Sequence, residues 1–233
     1  MNSNRRAATI AGVLFIIGTV AGVLSISPVI DGPDYLIEGT ANENRVITGA
    51  LFQFIMAVAY VGFAISLYPI LRKYNESLAI GFVGFRFIAG AFNILGVVCI
   101  LLLLTLSQEF VKAGAPDSSH FQAIGSLLRA GRDLVNHVAM ILAQSLGGLM
   151  LYYILYETRL VPRWLSGWGL VGTTLTILAS LLIMFRLINI ITPIYIALNL
   201  PIALQEMVLA VWLIAKGFNP SVVASFGQNK ETL

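Results

Sequence analysis

Six long runs of apolar residues dominate the sequence, at about 8–27, 47–70, 79–107, 134–156, 166–186 and 194–215. A helix needs about 20 predominantly apolar residues to cross the hydrocarbon core of a bilayer. The runs are too continuous for barrel strands, which alternate between lipid-facing and lumen-facing residues. Only 11% of the 233 residues are charged, against about 25% in an average soluble domain. The sequence therefore predicts an all-α, polytopic transmembrane helix bundle with six spans, forming one domain over 1–218 that is followed by a tail over 219–233.

Positively charged residues predict the orientation of these spans, because Lys and Arg collect in short loops on the cytoplasmic side. Basic residues precede the first span and follow the second, fourth and sixth, whereas the opposite loops hold most of the acidic residues. These basic residues are Arg5, Arg6, Arg72, Lys73, Arg159, Arg163, Lys216 and Lys230. The three tryptophans, Trp164, Trp168 and Trp212, fall at the same boundary, where aromatic residues are typical. Both termini are therefore predicted to be cytoplasmic.

The first span allows two interpretations. Its basic start, its apolar stretch and the small residues around Ser25 and Ser27 resemble a cleavable signal peptide. The apolar stretch is longer than a usual signal-peptide core, which favours retention as a membrane anchor. Gly18 and Gly22 form a small-xxx-small pattern that lets helix backbones approach closely. They predict either packing within the chain or a homodimer interface.

A polar segment before the fourth span has the periodicity of an amphipathic helix. Phe121, Ile124 and Leu128 recur at helical spacing after Ser119, a residue that favours a helix N-terminus. The pattern predicts a short amphipathic helix near 119–130 on the outer interface of the membrane.

Two charged residues inside the predicted spans need an explanation, because charges at membrane depth are costly and usually paired or functional. Arg86 and Glu206 lie roughly 10 Å and 15 Å from the basic side at the helical rise per residue, so we expect them to pair. Asn93 extends the helix face of Arg86, and Asn199 and Tyr195 extend that of Glu206. The five residues form either an ion pair with hydrogen bonds between helices or a polar ligand-binding site.

The fourth span contains a second polar face, with Asp133, Asn136, His137 and Gln144 at helical spacing. Asp133 and His137 are one turn apart, and a carboxylate–imidazole pair of this kind is typical of a general base or proton relay. Arg129 and Arg132 compete for Asp133, so a salt bridge at the helix end is the alternative. These are the candidate catalytic residues of the sequence.

Other chemistries lack the residues that they need. Two histidines and one cysteine, Cys99, do not supply paired haem ligands, an internal disulfide or a thiolate cluster. The sequence has no HExxH or P-loop motif and no dinucleotide-binding fingerprint. We therefore predict no metal and no cofactor. The net charge of +3 is scattered, which predicts no nucleic-acid partner and leaves the lipid bilayer and a small amphiphilic ligand as expected partners.

Three stretches of the sequence carry a family resemblance. They are LYPILRKYNESLAIGFVGFR at 67–86, YYILYETRLVPRWLSGWGLVG at 152–172 and PIALQEMVLAVWLIAKGF at 201–218. Together they resemble the bacterial membrane family catalogued as domain of unknown function 4386. The resemblance implies a six- or seven-helix protein of the prokaryotic inner membrane and implies no activity. Its motifs include Arg86, Arg163, Trp164, Gln205 and Glu206.

Three functions remain open on the sequence alone. The first is a module that binds or transports a small molecule, lipid or ion in the polar pocket around Arg86 and Glu206. The second is a regulatory or structural membrane subunit whose intramembrane polar residues only hold helices together. The third is an intramembrane enzyme using Asp133 and His137, which requires His137 to face the same cavity as Arg86.

Overall fold

The computed structural model describes residues 3–114 and 119–228, which are helical almost throughout and contain no strand. A π-helical segment, Val135–Ala139, joins the sixth helix to the seventh. The α-helices are α1 (Ser3–Leu24), α2 (Pro28–Asp31), α3 (Tyr35–Ala41), α4 (Glu43–Leu71), α5 (Glu76–Lys112), α6 (Ser119–Leu134), α7 (Met140–Thr158), α8 (Arg163–Met184), α9 (Pro193–Ala215) and α10 (Pro220–Gln228).

Six helices of the described chain are long and apolar enough to cross a membrane, which confirms the six-span prediction. They are α1, α4, α5, the continuous helix α6–α7, α8 and α9. The predicted first span runs three residues too far, because the extended backbone of Ser27 precedes Pro28 at the start of α2. The residue before a proline disfavours the helical conformation, so α1 ends at Leu24.

The six spanning helices form a ring. Each packs against its neighbours along the chain, and α9 returns to pack against α1. The N-terminal segment meets the end of α9 through Arg5, whose guanidinium donates hydrogen bonds to the carbonyl oxygens of Leu213 and Ala215 at 3.2 and 3.1 Å. We call this end of the ring the basic end, because it holds Arg5, Arg72, Lys73, Arg159, Arg163 and Lys216.

An apolar core closes the ring towards the basic end. All six spanning helices contribute to it, together with the segment around Phe218. Phe63 packs edge-on against Phe15 and Phe82, with ring centroids 4.9 and 6.0 Å apart. Aromatic pairs prefer such edge-to-face arrangements. Because this half of the ring is filled by apolar side chains, a polar site inside the ring has to lie beyond it, towards the opposite end.

A second apolar cluster covers the opposite end, where α2 and α3 pack on α4 and α5. The amphipathic helix α6 begins at Ser119 as predicted and continues to Leu134. Its Phe121 contacts Phe110 of α5, with ring centroids 5.3 Å apart. Arg129 donates a hydrogen bond to the carbonyl oxygen of Asp31 at 2.6 Å and lies over the ring of Tyr35. Helices α2, α3 and α6 thus form one cap on this end of the ring.

The glycines of α1 face α4 within the chain. A methyl group at Gly18 would lie 2.7 Å from the Tyr60 ring, and one at Gly22 would lie 2.8 Å from the sulfur of Met56. Both glycines therefore allow α1 to pack closely against α4 within the chain.

The segment predicted as a tail contains a helix. Helix α10 occupies 220–228, and Val222 and Val223 pack against the core at the basic end. The backbone N–H of Asn219 donates a hydrogen bond to the carbonyl oxygen of Leu160 at 2.9 Å. Residues 229–233, including Lys230, lie outside the described part of the chain.

Candidate ligand-binding site

A polar cavity of about 150 Å³ lies inside the ring between α5, α7, α8 and α9. Three of the residues predicted from the sequence line it, namely Arg86, Asn199 and Glu206. Four further polar residues line it, namely Gln144, Ser145, Thr173 and Thr176, and the rest of the lining is apolar, namely Ile141, Gly148, Ile202 and Ala203. The Arg86–Glu206 pair is therefore not sealed by packing, since it forms part of a cavity wall.

Arg86 is the most deeply buried charge of this site, with 1% of its surface exposed. One terminal nitrogen, Nη2, lies 3.8 Å from Oε1 of Glu206, which is 15% exposed. The guanidinium carbon lies 5.5 to 5.7 Å from the ring centroids of Tyr60, Phe63 and Phe82. A cation over aromatic faces is stabilised by the ring quadrupoles. These rings hold the guanidinium at the cavity without satisfying its hydrogen-bond donors.

Buried groups around the cavity lack hydrogen-bond partners within the described chain. They are Nε and Nη1 of Arg86 and the hydroxyl oxygen of Thr176. An unpaired buried polar group is costly, especially when it is charged. Both residues line the cavity, so these unused hydrogen-bonding groups belong to side chains of its wall.

The position of Glu206 on α9 is set by its neighbour Gln205, which is fully buried. Tyr152 of α7 donates a hydrogen bond to Oε1 of Gln205 at 2.8 Å. Nε2 of Gln205 donates in turn to the carbonyl oxygen of Leu165 on α8 at 2.9 Å. One amide thus ties α9 to α7 and α8 and fixes the register of the cavity wall.

Two predicted pocket residues do not line this cavity. Asn93 is 1% exposed, and its carbonyl oxygen accepts a hydrogen bond from Nε2 of Gln53 at 3.0 Å. The same Gln53 nitrogen donates to Oδ1 of Asn136 at 3.1 Å. Tyr195 shares a hydrogen bond of 2.8 Å with Nδ1 of His137. Asn93 and Tyr195 therefore belong to helix–helix contacts beside the cavity.

The predicted carboxylate–imidazole pair is replaced by other partners. Asp133 accepts hydrogen bonds from Arg132, whose guanidinium also contacts Asp31, so the salt-bridge alternative is the arrangement in the structure. His137 contacts Tyr195 instead and is not among the residues that line the cavity. Within residues 3–114 and 119–228, no group of three or more His, Cys, Asp or Glu residues is placed to hold a metal ion.

The π-helical segment explains this change of partners. It inserts one residue into the turn, which rotates the helix that follows by about 100° at 3.6 residues per turn. Asp133 and Gln144 therefore no longer share the face that regular spacing predicts. The carbonyl oxygen of His137, which lies in this segment, accepts a hydrogen bond from Ser180 at 3.0 Å.

The hydroxyl groups that α8 contributes to the cavity were not predicted, although a pattern in the sequence indicates them. Thr173, Thr176 and Ser180 follow one another at i, i+3 and i+7, which is a single helix face. All three are buried. Such a stripe of hydroxyl groups on an otherwise apolar span indicates the side of α8 that faces the interior of the ring.

Comparison with known proteins gives a family and no activity. No curated protein matches the sequence, and no solved structure matches the fold. The sequence model of one family matches residues 10–217, which include every residue that lines the polar cavity. The chain therefore belongs to the family described as Domain of unknown function (DUF4386).

Proposed function

We propose that this membrane protein binds a small polar molecule in the cavity beside Arg86 and Glu206, as a binding or transport module. The observation that carries the proposal is the pair of unsatisfied donors on Arg86, a residue that is 1% exposed and lines the cavity. A purely structural ion pair gains nothing from such donors, because unmatched buried charge destabilises a fold. A ligand with an acceptor group satisfies them.

Cavity size and charge define the class of ligand. A cavity of about 150 Å³ accommodates a molecule of the size of benzene, which is about six heavy atoms. A guanidinium favours carboxylate or phosphate oxygens, whereas the neighbouring Glu206 favours a hydrogen-bond donor. The complementary ligand is a small acid that also carries a hydroxyl or amino group.

Access to the cavity is proposed from the end opposite the basic end. The apolar core fills the ring on the basic side. On the other side, α7 begins after the π-helical segment, and α9 contains Pro201 between Asn199 and Glu206. Proline removes a backbone hydrogen bond and weakens a helix at that point, and transporter sites are typically formed by interrupted helices. These two interruptions support a path that opens between α7 and α9.

A regulatory or structural subunit is the second candidate, because the three aromatic rings around Arg86 also suit a permanent helix contact. The enzyme hypothesis requires His137 and Arg86 to face the same cavity. Arg86 lines the cavity, whereas His137 contacts Tyr195 and does not, so this requirement is not met.

Thr176→Val is the sharpest test of ligand binding, because it removes a hydroxyl group that has no partner in the described chain. The variant should fold as well as the wild type while weakening a ligand that uses the hydroxyl. We would measure thermal unfolding of the detergent-purified protein with glycolate, glycine and acetate, using acetamide as the uncharged control. A ligand at 100 times its Kd stabilises the folded state by about 2.7 kcal/mol.

The proposal expects a shift with at least one acid, a smaller shift in Thr176→Val, and no shift in Arg86→Met. Thr174→Ala is the matched control, because Thr174 lies exposed on the same helix and bonds to its own backbone. Shifts that are equal in all variants, or absent from the wild type with every acid, would show that the cavity is not a binding site for this class.

The location of the protein is also part of the proposal. The charge distribution supports insertion in the inner membrane of a prokaryote with the basic end in the cytoplasm. Green fluorescent protein fused to the C-terminus should fluoresce in a bacterial host, and alkaline phosphatase fused there should be inactive. The reverse result would contradict this orientation.

A further inference from the structure

A second cavity lies at the basic end and is unrelated to the Arg86 site. Its volume is about 600 Å³, and it lies between the α7–α8 connection and the segment that follows α9. Arg159, Arg163 and Lys216 line it together with Trp212 and Asn219, and no acidic residue lines it. We call this cavity the basic cleft. We propose that the basic cleft binds the phosphate of an anionic phospholipid headgroup.

The three cations of the basic cleft have no acidic partner within the described residues. Arg163 donates a hydrogen bond from Nε to the carbonyl oxygen of Tyr156 at 3.4 Å, and its guanidinium lies over the Tyr156 ring. That contact orients Arg163 while leaving its terminal nitrogens unbonded. Arg159 and Lys216 are exposed. Three uncompensated positive charges around one concavity create an anion-binding site.

The backbone around the basic cleft is held in a fixed and partly strained form. Arg159 has a φ of 56°, in the left-handed region that a glycine occupies without strain. A residue in this conformation commonly ends a helix, and Arg159 ends α7. The hydrogen bond from Asn219 to Leu160 joins the two segments that line the cleft. The site is therefore built before any ligand arrives.

Depth identifies a lipid as the source of the phosphate. Helices α8 and α9 have 22 and 23 residues, which corresponds to about 33–35 Å at 1.5 Å per residue. The hydrocarbon core is about 30 Å thick. The ends of these helices, and the basic cleft between them, therefore lie at the level of the headgroups. Trp164 is 57% exposed at this level, as interfacial tryptophans are.

An apolar groove continues from the basic cleft along α9, and this is the second observation that favours a lipid. Its volume is about 390 Å³, and Met207, Val208 and Val211 line it. Trp212 and Lys216 belong to both cavities. A phosphate in the basic cleft and an acyl chain in the groove are what one phospholipid molecule presents. Free phosphate would leave the groove uncovered.

The test measures how lipids shift the thermal unfolding of the full chain in a neutral detergent. We would compare phosphatidylglycerol, phosphatidylcholine and inorganic phosphate at equal concentrations. The proposal expects stabilisation by phosphatidylglycerol that exceeds the shift with the other two. Each cation near a membrane surface contributes about fivefold to the affinity, so removing one should weaken the apparent affinity for phosphatidylglycerol about fivefold.

Arg159→Gly is the most informative variant, because glycine removes the charge and relieves the left-handed backbone. A lost lipid shift in this variant reports on binding, since its fold is not expected to weaken. Lys216→Gln is the second variant, and Lys73→Gln is the matched control at the same end but outside the cleft. Three outcomes overturn the proposal: an equal loss in Lys73→Gln, an equal shift with phosphatidylcholine, or a shift with inorganic phosphate as large as that with the lipid.

Discussion

Glu206→Gln should destabilise the protein by about 3 kcal/mol, and by more than Arg86→Met does. The two charged groups are 3.8 Å apart, which corresponds to about 4 kcal/mol of attraction at an effective dielectric constant of about 20. Breaking a buried pair by removing one partner costs about 3–5 kcal/mol. The three aromatic rings around Arg86 offset part of this destabilisation, by about 0.5–2 kcal/mol at a desolvated site. We therefore expect a cost at the lower end of the range of about 3–5 kcal/mol.

The two single variants differ because the two groups differ chemically. A carboxyl group left without its partner becomes neutral by binding a proton, whereas a guanidinium stays charged. Glu206→Gln therefore leaves a permanent charge at a position that is 1% exposed. Arg86→Met leaves a carboxyl group that is 15% exposed and able to neutralise itself. The double variant should be closer to the wild type than Glu206→Gln is, because it leaves no unpaired charge.

The measurement is the free energy of unfolding in mixed micelles, followed by far-ultraviolet circular dichroism as the fraction of dodecyl sulfate rises. All four proteins of the cycle are compared, with Thr174→Ala as an exposed control. The coupling energy isolates the pair from the separate effects of each substitution. A coupling energy below about 0.5 kcal/mol, within the scatter expected of independent sites, would refute the reasoning.

Four further substitutions test individual contacts of the helices with the same unfolding assay. Gly172→Ala places a methyl group 3.0 Å from the backbone of α9 and should lower the free energy of unfolding by about 1–3 kcal/mol through overpacking. Gly84→Ala adds a methyl group in open space and should stabilise α5 by up to about 1 kcal/mol. Ser180→Ala removes the hydrogen bond to the carbonyl oxygen of His137 in the π-helical segment and should cost about 0.5–1.5 kcal/mol. Arg5→Gln removes the charged cap of the α9 carbonyl groups and should cost about 1 kcal/mol. An unchanged Gly172→Ala or Ser180→Ala variant, or an Arg5→Gln variant as stable as the wild type, would contradict the contact concerned.

The spans were predictable from sequence because a long apolar run in a bilayer has one stable backbone solution, the helix. The approach of Arg86 and Glu206 was predictable for a similar reason, since depth along a span follows directly from residue number. Both arguments use only distance along the membrane normal. They need no knowledge of which helices are neighbours.

Which helices lie side by side in the membrane could not be predicted in this way. Asn93 and Tyr195 share helix faces with Arg86 and Glu206, but periodicity does not say which neighbour a given turn meets. Asn93 meets Gln53, and Tyr195 meets His137. The π-helical segment also breaks the assumption of regular spacing, because one extra residue rotates everything that follows. No local feature of the sequence Val135–Ala139 indicates that a residue is inserted there.

The length of α5 constrains the thickness of the membrane around this molecule. Its 37 residues correspond to about 55 Å at 1.5 Å per residue, and a bilayer core of about 30 Å would contain it only at a tilt of about 57°, beyond the roughly 0–40° observed for membrane helices. Its apolar part alone, 79–107, corresponds to about 44 Å, so α5 fits only if it tilts strongly or if the bilayer thickens around it. The protein should therefore be more stable in bilayers of long-chain lipids than in bilayers of short-chain lipids, because a longer apolar span matches a thicker hydrocarbon core.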